Sequence, residues 1–254
     1  MSDKNPKIVV EDIRKGFTDA RGAALPVVGG IRLEVADGEF VAIVGPSGCG
    51  KSTLMNMLAG FERPDAGAVR IDGEPVAGPS PKRIVISQQG SVFPWLTVQQ
   101  NLMFGLNGTA HADTGGERAV LADHYAAMVG LKGFENAYPH ELSGGMLKRV
   151  ELARAFIVKP EILYLDEPFS ALDALMNLRM RNELLRILAE ERHTVLLITH
   201  DVEEAVYMAD RIVVLSPRPT TIQASFVVDL PHPRRIASAE AQALREAILK
   251  ELGL

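Results

Sequence analysis

Five short apolar runs restrict the fold of this chain more than any other feature of its sequence. Polar side chains rarely interrupt them, whereas a strand with one solvent-exposed face would alternate apolar and polar residues. Such runs are typical of strands covered on both faces, as in a parallel sheet between two layers of helices. The runs lie at residues 40–44, 83–87, 162–165, 195–199 and 212–215.

Helical stretches separate these predicted strands. Residues 177–191 place leucines on one face of a helix and charged side chains on the other. The alternation of strand and helix predicts a doubly wound α/β core. The N-terminal part differs, because residues 8–10 and 31–35 are β-like with turn signals between them, which predicts a small antiparallel sheet. Near the C-terminus we expect a strand around Phe226 and an amphipathic helix over 239–252.

Composition excludes several classes of protein. Apolar residues make up 47% of the 254 residues, which is typical of a folded globular chain. The net charge is −5 with acids and bases interspersed, so no basic surface predicts a nucleic-acid partner. A single cysteine, Cys49, cannot form an intramolecular disulfide. The sequence contains neither a recognisable signal peptide nor eighteen consecutive apolar residues. A role at a membrane would therefore require a partner protein that spans it.

A glycine-rich run, GPSGCGKST at residues 45–53, directly follows the first of the five strands. Glycines at three of its positions allow the backbone to curl, so that successive N–H groups point inward at an anion. The helix predicted over 53–58 adds the positive end of its dipole. Lys51 could then contact the β- and γ-phosphates of a nucleotide, and the Ser52 hydroxyl could bind Mg²⁺.

Two alternatives to this interpretation are a chance glycine-rich turn and a reactive thiol at Cys49. A chance glycine-rich turn is disfavoured because the strand, the helix and all four fixed motif positions are present. Cys49 could be a reactive thiol, since a helix start lowers the pKa of a thiol, but a small residue that fills a loop position is the favoured interpretation.

Two adjacent acids, Asp166 and Glu167, end the strand at 162–165. In an open parallel sheet, ligands collect at the carboxyl ends of the strands, where the glycine-rich run also lies. Asp166 would hold Mg²⁺ through a water molecule, and Glu167 could orient or deprotonate the water that attacks the γ-phosphate. A solvated pair of loop acids is the alternative interpretation, and the glycine-rich run upstream argues against it.

A short motif upstream of Asp166 narrows the class of nucleotide-hydrolysing protein. Residues 142–146 read LSGGM and precede a predicted helix over 147–157. The motif resembles the signature of ABC ATPases, which is usually written LSGGQ. In the usual form serine and glutamine resemble a capping box, and Met146 cannot return that hydrogen bond. We expect little functional cost, because the backbone donors remain.

Four further segments resemble ABC ATPases in order and spacing, so the resemblance extends from about residue 8 to residue 216. Gln88 follows a strand, as the family's Q-loop does, and residues 170–173 (SALD) resemble its D-loop. His200 follows the strand VLLIT, as the family's switch histidine does. That position at the carboxyl end of a strand favours a γ-phosphate contact over an ordinary surface histidine. Phe17 lies where the family places an aromatic residue that stacks on adenine.

Motif and resemblance together give the predicted site residues. The catalytic residues are Lys51, Glu167 and His200. The nucleotide-binding residues are Phe17, Gly45, Ser47, Gly48, Cys49, Gly50, Lys51, Ser52, Thr53, Gln88, Ser143, Gly144, Gly145, Asp166 and Asp173. The metal ligands are Ser52, Gln88 and Asp166, and the cofactors are ATP and Mg²⁺.

The resemblance implies a head-to-tail homodimer, or a pair with a related ATPase subunit. ATP would lie between the phosphate loop of one subunit and Ser143, Gly144 and Gly145 of the other. These residues begin a helix, so they offer free N–H groups and a positive dipole end. Because a helix start in the same chain already serves the phosphates, a second is useful only from another molecule.

The resemblance also implies the fold and its subdivision. We expect a single ABC ATPase domain over 1–254, an α/β P-loop NTPase core with a small N-terminal antiparallel β-subdomain and an inserted helical subdomain. The predicted ATP-binding core covers 8–95 and 160–216, and the predicted helical subdomain covers 96–159. A short C-terminal extension, 217–254, leaves no room for a large sensor domain.

Residues 88–106 resemble ABC importers for nitrate, sulfonate and taurine. Their most similar part is FPWLTV, which contains Phe93 and Trp95. We predict that these two aromatics line the groove that takes a short cytoplasmic helix of the transmembrane permease, since interfaces favour such side chains. A Trp95 buried between subdomains is the alternative.

We therefore predict an importer ATPase on the cytoplasmic face of the inner (plasma) membrane. A periplasmic or extracellular solute-binding protein would be an indirect partner. Two alternatives stay open, a soluble ABC ATPase without a permease and the motor of a lipid or efflux transporter. A co-purifying permease would favour the importer.

Overall fold

The computed structural model describes residues 6–19, 21–87, 90–107, 116–170 and 172–254. They form two compact units. The first comprises the described residues up to Ser80 together with Tyr164–Glu167 and His193–Leu254. The second comprises the described residues of Pro81–Leu163 and Pro168–Arg192. The predicted subdomain limits stay a prediction.

The described part of the chain contains strands, α-helices and one 3-10 helix, labelled here in chain order. The strands are β1 (Pro6–Thr18), β2 (Ala24–Ala36), β3 (Phe40–Val44), β4 (Ala66–Ile71), β5 (Glu74–Pro75), β6 (Arg83–Ile86), β7 (Ile162–Asp166), β8 (Thr194–Thr199), β9 (Arg211–Leu215) and β10 (Ile222–Val227). The helices are α1 (Lys51–Ala59), α2 (Val98–Gly105), α3 (Glu117–Met128), the 3-10 helix Pro139–Glu141, α4 (Gly144–Phe156), α5 (Ala174–Glu190), α6 (Val202–Met208) and α7 (Ala239–Glu251).

The first unit is built on a mainly parallel sheet with the strand order β10-β9-β3-β8-β7. Strand β3 pairs in parallel with both β8 and β9, and β10 pairs antiparallel with β9. Every residue of β3 and β8 is buried, as the uninterrupted apolar runs predict. The five predicted strands of this kind are confirmed, including β6 in the second unit.

A second, antiparallel sheet also belongs to the first unit and has the order β2-β1-β4-β5. The predicted antiparallel pairing is confirmed, with Ile8 opposite Val35 and Val10 opposite Leu33. Both strands are longer than predicted, because the pairing continues through register shifts as far as Thr18 opposite Ala24. The small strands β4 and β5 were not predicted.

Several helices begin earlier than the hydrophobic pattern predicts, because a capping residue sets the start. Helix α4 begins at Gly144, inside the LSGGM motif, since the Ser143 side chain accepts a hydrogen bond from the Met146 N–H. Helix α5 begins at Ala174 because Asp173 caps it in the same way, through the Met176 N–H. No helix among the described residues is both long and apolar enough to cross a bilayer.

The second unit is mainly helical, as predicted for the inserted part. It contains α2, α3, α4 and α5, together with β6 and the first two residues of β7. Residues 108–115 lie outside the described residues. Burial of Tyr125 and its hydrogen bond to Glu191, 2.9 Å long, raise the pKa of the Tyr125 hydroxyl.

Candidate functional site

The glycine-rich loop between β3 and α1 adopts backbone conformations that require glycine. Gly48 and Gly50 have φ angles of 71° and 119°, in the region that side chains with a Cβ disfavour. At Gly45 space favours glycine instead, because an added Cβ would lie in tight contact, 3.1 Å from the Leu215 Cβ. The sequence-based reason for these glycines is thus supported by two separate physical constraints.

Donors converge where this loop enters α1. Gly50 is the N-cap, and no side chain caps this helix start, so its first N–H groups receive no side-chain acceptor. Lys51 is 7% exposed, and its ammonium donates to the Gly45 carbonyl at 2.8 Å and to the Pro46 carbonyl at 3.0 Å. This combination of a helix start and a cation suits a phosphate anion.

Sheet register brings two further predicted residues to the same edge. Val44, the last residue of β3, lies opposite Thr199, the last residue of β8, so the loop and His200 leave the sheet at one level. Strand β7 lies on the other side of β8 and ends at Asp166. Because the carboxyl ends of parallel strands share an edge, the loop, His200 and Asp166 form one site.

The Asp166 carboxyl group is partly buried at this edge. Burial raises its pKa, while a hydrogen bond from Ser52 and the charge of Lys51 act in the opposite direction. A carboxylate beside a hydroxyl is a hard oxygen pair, which suits Mg²⁺. Among the described residues no cluster of three or more His, Cys, Asp or Glu could hold a metal, so Ser52 and Asp166 would need further oxygen ligands from outside such a cluster.

Glu167 and His200 form a close pair beside Asp166. The Glu167 Oε1 lies 3.2 Å from the His200 Nδ1, with Glu167 20% and His200 59% exposed at their side chains. Glu167 has a φ of 46°, which is uncommon for a residue with a side chain, and its N–H donates to the Ile198 carbonyl at 2.9 Å. The β8 backbone therefore holds Glu167 in a costly conformation that turns its carboxylate toward the histidine.

Phe17 lies near the end of β1 and is 41% exposed. The Lys15 ammonium lies 5.6 Å from its ring centroid. Asp65 and Glu62 pair with Lys15 at 3.0 and 3.2 Å, and the Asp65 hydrogen bond raises the pKa of Lys15. An aromatic ring with this exposure can stack on a planar ligand.

The predicted signature residues belong to the second unit. Ser143 caps α4 through a 3.3 Å hydrogen bond from the Met146 N–H. Ser143 and Gly144 are exposed, while Gly145 is buried and its added Cβ would lie 3.0 Å from the Met176 sulfur. This exposed helix start can receive an anion from outside the chain.

Two predicted site residues, Asp173 and Gln88, remain to be located in the structure. Asp173 is exposed and caps α5, with its Oδ1 2.9 Å from the Met176 N. Its observed contact is therefore with its own helix. Gln88, predicted for nucleotide and metal binding, lies outside the described residues.

An aromatic cluster precedes α2 in the second unit. Phe93 lies 5.6 Å from Trp95 and 4.4 Å from Phe104 between ring centroids, and the Arg154 guanidinium lies 5.0 Å from the Phe93 ring. Trp95 is 69% exposed, so the alternative of a buried Trp95 is wrong. An exposed aromatic group of this kind is typical of a protein interface.

One residue at the loop carries no sequence signal. The Thr220 hydroxyl donates a hydrogen bond to the Cys49 carbonyl, although the two residues are 171 positions apart. Thr220 follows a proline in a polar stretch, where a turn is the natural interpretation. A contact across such a sequence separation follows only from the tertiary fold.

Comparison with known proteins gives consistent matches. The family described as "ABC transporter" matches residues 28–170. A Brucella abortus protein named as ATP-binding is 49% identical over 221 residues, which is 86% of this chain and 84% of that protein. An uncharacterized ABC transporter ATP-binding protein of Methanocaldococcus jannaschii is 44% identical over 246 residues, 97% of this chain and 91% of that protein.

Two further matches concern a transported solute and a solved structure. The bicarbonate transport ATP-binding protein CmpC of Synechocystis sp. is 42% identical over 229 residues, covering 90% of this chain but 34% of that protein. A solved structure of the ATP-binding cassette MJ0796, a dimer in a post-hydrolysis state bound to ADP and Pi, has a TM-score of 0.76 and 28% identity. That match covers 87% of this chain and 98% of the other.

Proposed function

Because this chain belongs to the ABC transporter family and is an ATPase, we propose that it is the ATP-hydrolysing subunit of an importer, with Lys51, Glu167 and His200 as its catalytic residues. The observation that carries the proposal is the 3.2 Å contact between Glu167 and His200 at the sheet edge that also holds the phosphate loop. This arrangement joins a base to a group that can orient it, directly beside a site for phosphate.

The proposed reaction divides the work among these residues. Glu167 accepts a proton from the water that attacks the γ-phosphate. His200 contacts the γ-phosphate and holds the Glu167 carboxylate in position. Lys51 exchanges its carbonyl contacts for phosphate oxygens and balances their charge. Gly48, Gly50 and the start of α1 supply N–H donors to the same phosphates, with Ser47, Cys49 and Thr53 as loop neighbours.

We propose that Ser52 and Asp166 hold Mg²⁺, with Gln88 as a further ligand. The ion would neutralise phosphate charge when it is bound. The hydrogen bond between Ser52 and Asp166 supports the proposal, because it brings two oxygen ligands together before any metal arrives. Phe17 is proposed to stack on the adenine, as its exposed ring allows.

We further propose that the active form is a head-to-tail dimer. Ser143, Gly144 and Gly145 would approach the γ-phosphate bound by the other subunit, with Asp173 nearby. The start of α4 supports this, because Ser143 and Gly144 are exposed and a helix start offers N–H donors and a positive dipole end. The related cassette MJ0796 is a dimer in its solved structure.

The proposed membrane partner is a permease that docks on Phe93 and Trp95. The exposure of Trp95 and the three-ring cluster around Phe93 support an aromatic docking surface. The subunit would then lie at the cytoplasmic face of the membrane, with a solute-binding protein acting on the permease from the other side.

The proposed cargo is a small oxyanion such as nitrate, a sulfonate or taurine. The relative CmpC is named for bicarbonate, which is likewise a small oxyanion, so bicarbonate joins the candidates. Co-expression with any permease and binding protein encoded beside this gene, followed by ATPase assays with each anion, tests this. Recovery with soluble partners alone would favour an ABC ATPase without a permease, and stimulation by lipids would favour a lipid motor.

The catalytic proposal is tested by Glu167→Gln, which keeps the side-chain shape but removes the base. We expect kcat for ATP hydrolysis to fall by about a hundredfold or more. ATP binding should persist, and gel filtration with ATP should show more dimer, because the nucleotide is no longer consumed.

The matched control is Glu203→Gln, which makes the same change at an exposed carboxylate on α6 three residues after His200. It should retain the wild-type rate. Normal hydrolysis by Glu167→Gln would contradict the assignment of Glu167 as the base.

A further inference from the structure

We infer that Thr220 is a positioning residue of the phosphate loop, which fixes the direction of the Gly50 N–H through the Cys49 carbonyl. The inference rests on the proposed function, because it assumes that the loop binds the phosphates of ATP. Thr220 lies outside the loop itself, in the segment between β9 and β10.

The Thr220 side chain is buried and makes a hydrogen bond to the phosphate loop. The residue is 0% exposed, and its hydroxyl donates to the Cys49 carbonyl inside the glycine-rich loop. A buried hydroxyl that loses its partner pays the cost of desolvation, so this hydrogen bond is favoured over any arrangement that leaves both groups unpaired. Thr220 therefore ties down one peptide of the phosphate loop.

That peptide connects Cys49 to Gly50, and its geometry transmits the constraint. Among the described residues the cis peptides are at Arg218-Pro219 and His232-Pro233, so this bond is trans. In a planar trans peptide the C=O and the N–H point in opposite directions. Because the carbonyl points to Thr220, the Gly50 N–H points away from it, toward the side of the loop that Thr220 does not occupy.

The backbone of Thr220 and the segment that contains it are held by hydrogen bonds on two sides. Its N–H donates to the Val27 carbonyl and its carbonyl accepts from the Gly29 N–H, both at 2.8 Å, so the residue is bonded into β2. Its own segment is closed by Ser216 and Thr221, whose hydroxyl oxygens lie 3.2 Å apart and whose backbones also bond. A fixed support is what a positioning residue requires.

Close packing leaves the Gly50 peptide little freedom on this side. A Cβ added at Gly50 would lie 2.7 Å from the Val27 Cγ1 and 3.5 Å from the Thr220 Oγ1. On the opposite flank, a Cβ added at Gly29 would lie 3.1 Å from the Pro219 Cβ. The two glycines let β2, the loop and the Thr220 segment approach one another closely.

This arrangement predicts an effect on nucleotide affinity. An N–H donor that already points at the phosphate site need not be reoriented when ATP binds. The peptide then loses its conformational freedom during folding, and this loss does not weaken ATP binding. Without the Thr220 hydroxyl the Cys49–Gly50 peptide can turn, and binding must then order it. A role in folding stability alone would leave the affinity unchanged.

The test compares three variants by titration with Mg²⁺-ATP. Thr220→Val removes the hydroxyl at nearly constant volume, and we expect Kd for ATP to rise roughly three- to tenfold, the range for one net hydrogen bond. Thr220→Ser retains the donor and should bind within about twofold of the wild type. Thr221→Val removes a neighbouring hydroxyl that contacts Ser216 instead of the loop, and it should bind like the wild type.

The outcomes separate this inference from the proposed function. Wild-type affinity in Thr220→Val, whether or not its unfolding midpoint falls, would overturn the positioning role. If Thr220→Val does not fold, Thr220→Ala, which also lacks the hydroxyl, carries the same expectation. If Lys51→Ala binds ATP as tightly as the wild type, the phosphate site itself is wrong and the proposed function fails first.

Discussion

Individual residues at the sheet edge are held in conformations or environments that cost free energy. Glu167 has a left-handed backbone conformation, the Asp166 carboxyl group is partly buried, and Lys51 is a buried lysine. The surrounding fold stabilises each of these arrangements before any ligand binds. Such features are typical of sites built for a ligand, because they limit the rearrangement that binding requires.

Asp166→Asn should stabilise the nucleotide-free protein at neutral pH. Burial raises the pKa of Asp166 in the folded state, so the folded protein binds this proton more tightly than the unfolded chain does. Stability therefore falls as the pH rises from the unfolded-state pKa to the folded-state pKa, and the loss persists above it. The asparagine variant avoids that loss, so its unfolding midpoint should exceed that of the wild type.

Thermal unfolding between pH 4 and pH 8 checks this prediction. The advantage of Asp166→Asn should be largest at the upper end and should shrink as the pH approaches about 4, where the wild-type carboxyl group also becomes protonated. A constant difference across the range would show that titration of Asp166 is not its cause.

Phe17→Ala should weaken ATP binding by about 1 kcal/mol, which is roughly fivefold in Kd, because one stacking contact is lost. Phe61 offers a matched control, since it is another exposed phenylalanine of the first unit and is 59% exposed. Phe61→Ala should leave Kd unchanged. Equal affinity for ATP in Phe17→Ala and the wild type would assign adenine stacking to another residue.

At the scale of secondary-structure elements, helix α4 carries a buried ion pair that supports its surroundings. The Lys148 ammonium lies 2.8 Å from the Glu151 carboxylate and also donates to the Ser87 carbonyl at 3.2 Å. Glu151 accepts a hydrogen bond from the Ser91 N–H. The ion pair therefore links helix α4, which begins at the signature motif, to Ser87 and Ser91.

Glu151→Ala should destabilise the protein by about 3 kcal/mol, because it leaves the buried Lys148 charge without its partner. The double variant Lys148→Met with Glu151→Leu removes both charges and fills similar volume, so it should lose less than the single variant. Urea unfolding of the three proteins checks the order. A double variant less stable than Glu151→Ala would mean that the hydrogen bonds to Ser87 and Ser91 dominate over the charges.

At the scale of the whole molecule, each unit gathers residues that are distant in sequence. The first unit brings together Lys51, Asp166 and His200, drawn from three separate stretches of the chain. The second unit holds Ser143 and the Phe93–Trp95 aromatic surface. The proposed nucleotide-binding residues and the proposed partner surfaces thus belong to two different units of one chain.

The local sequence determined the strand-forming runs, the phosphate loop and the order of the site residues. Continuous apolar runs can be stable only where both faces are covered, and the glycines of residues 45–53 specify a backbone that other residues resist. These properties depend on neighbours within a few positions, which a single sequence displays. Helix starts were missed by several residues, because a capping side chain such as Ser143 or Asp173 decides them.

Only the tertiary structure decided which distant groups meet. The 3.2 Å contact between Glu167 and His200 depends on the order of strands β7 and β8, and the bond from Thr220 to Cys49 depends on packing against β2. Burial, which shifts the pKa of Asp166, is likewise a property of the packed protein. The physical reason is common to all three: such contacts arise from chain segments far apart in sequence, and no local pattern encodes their distance.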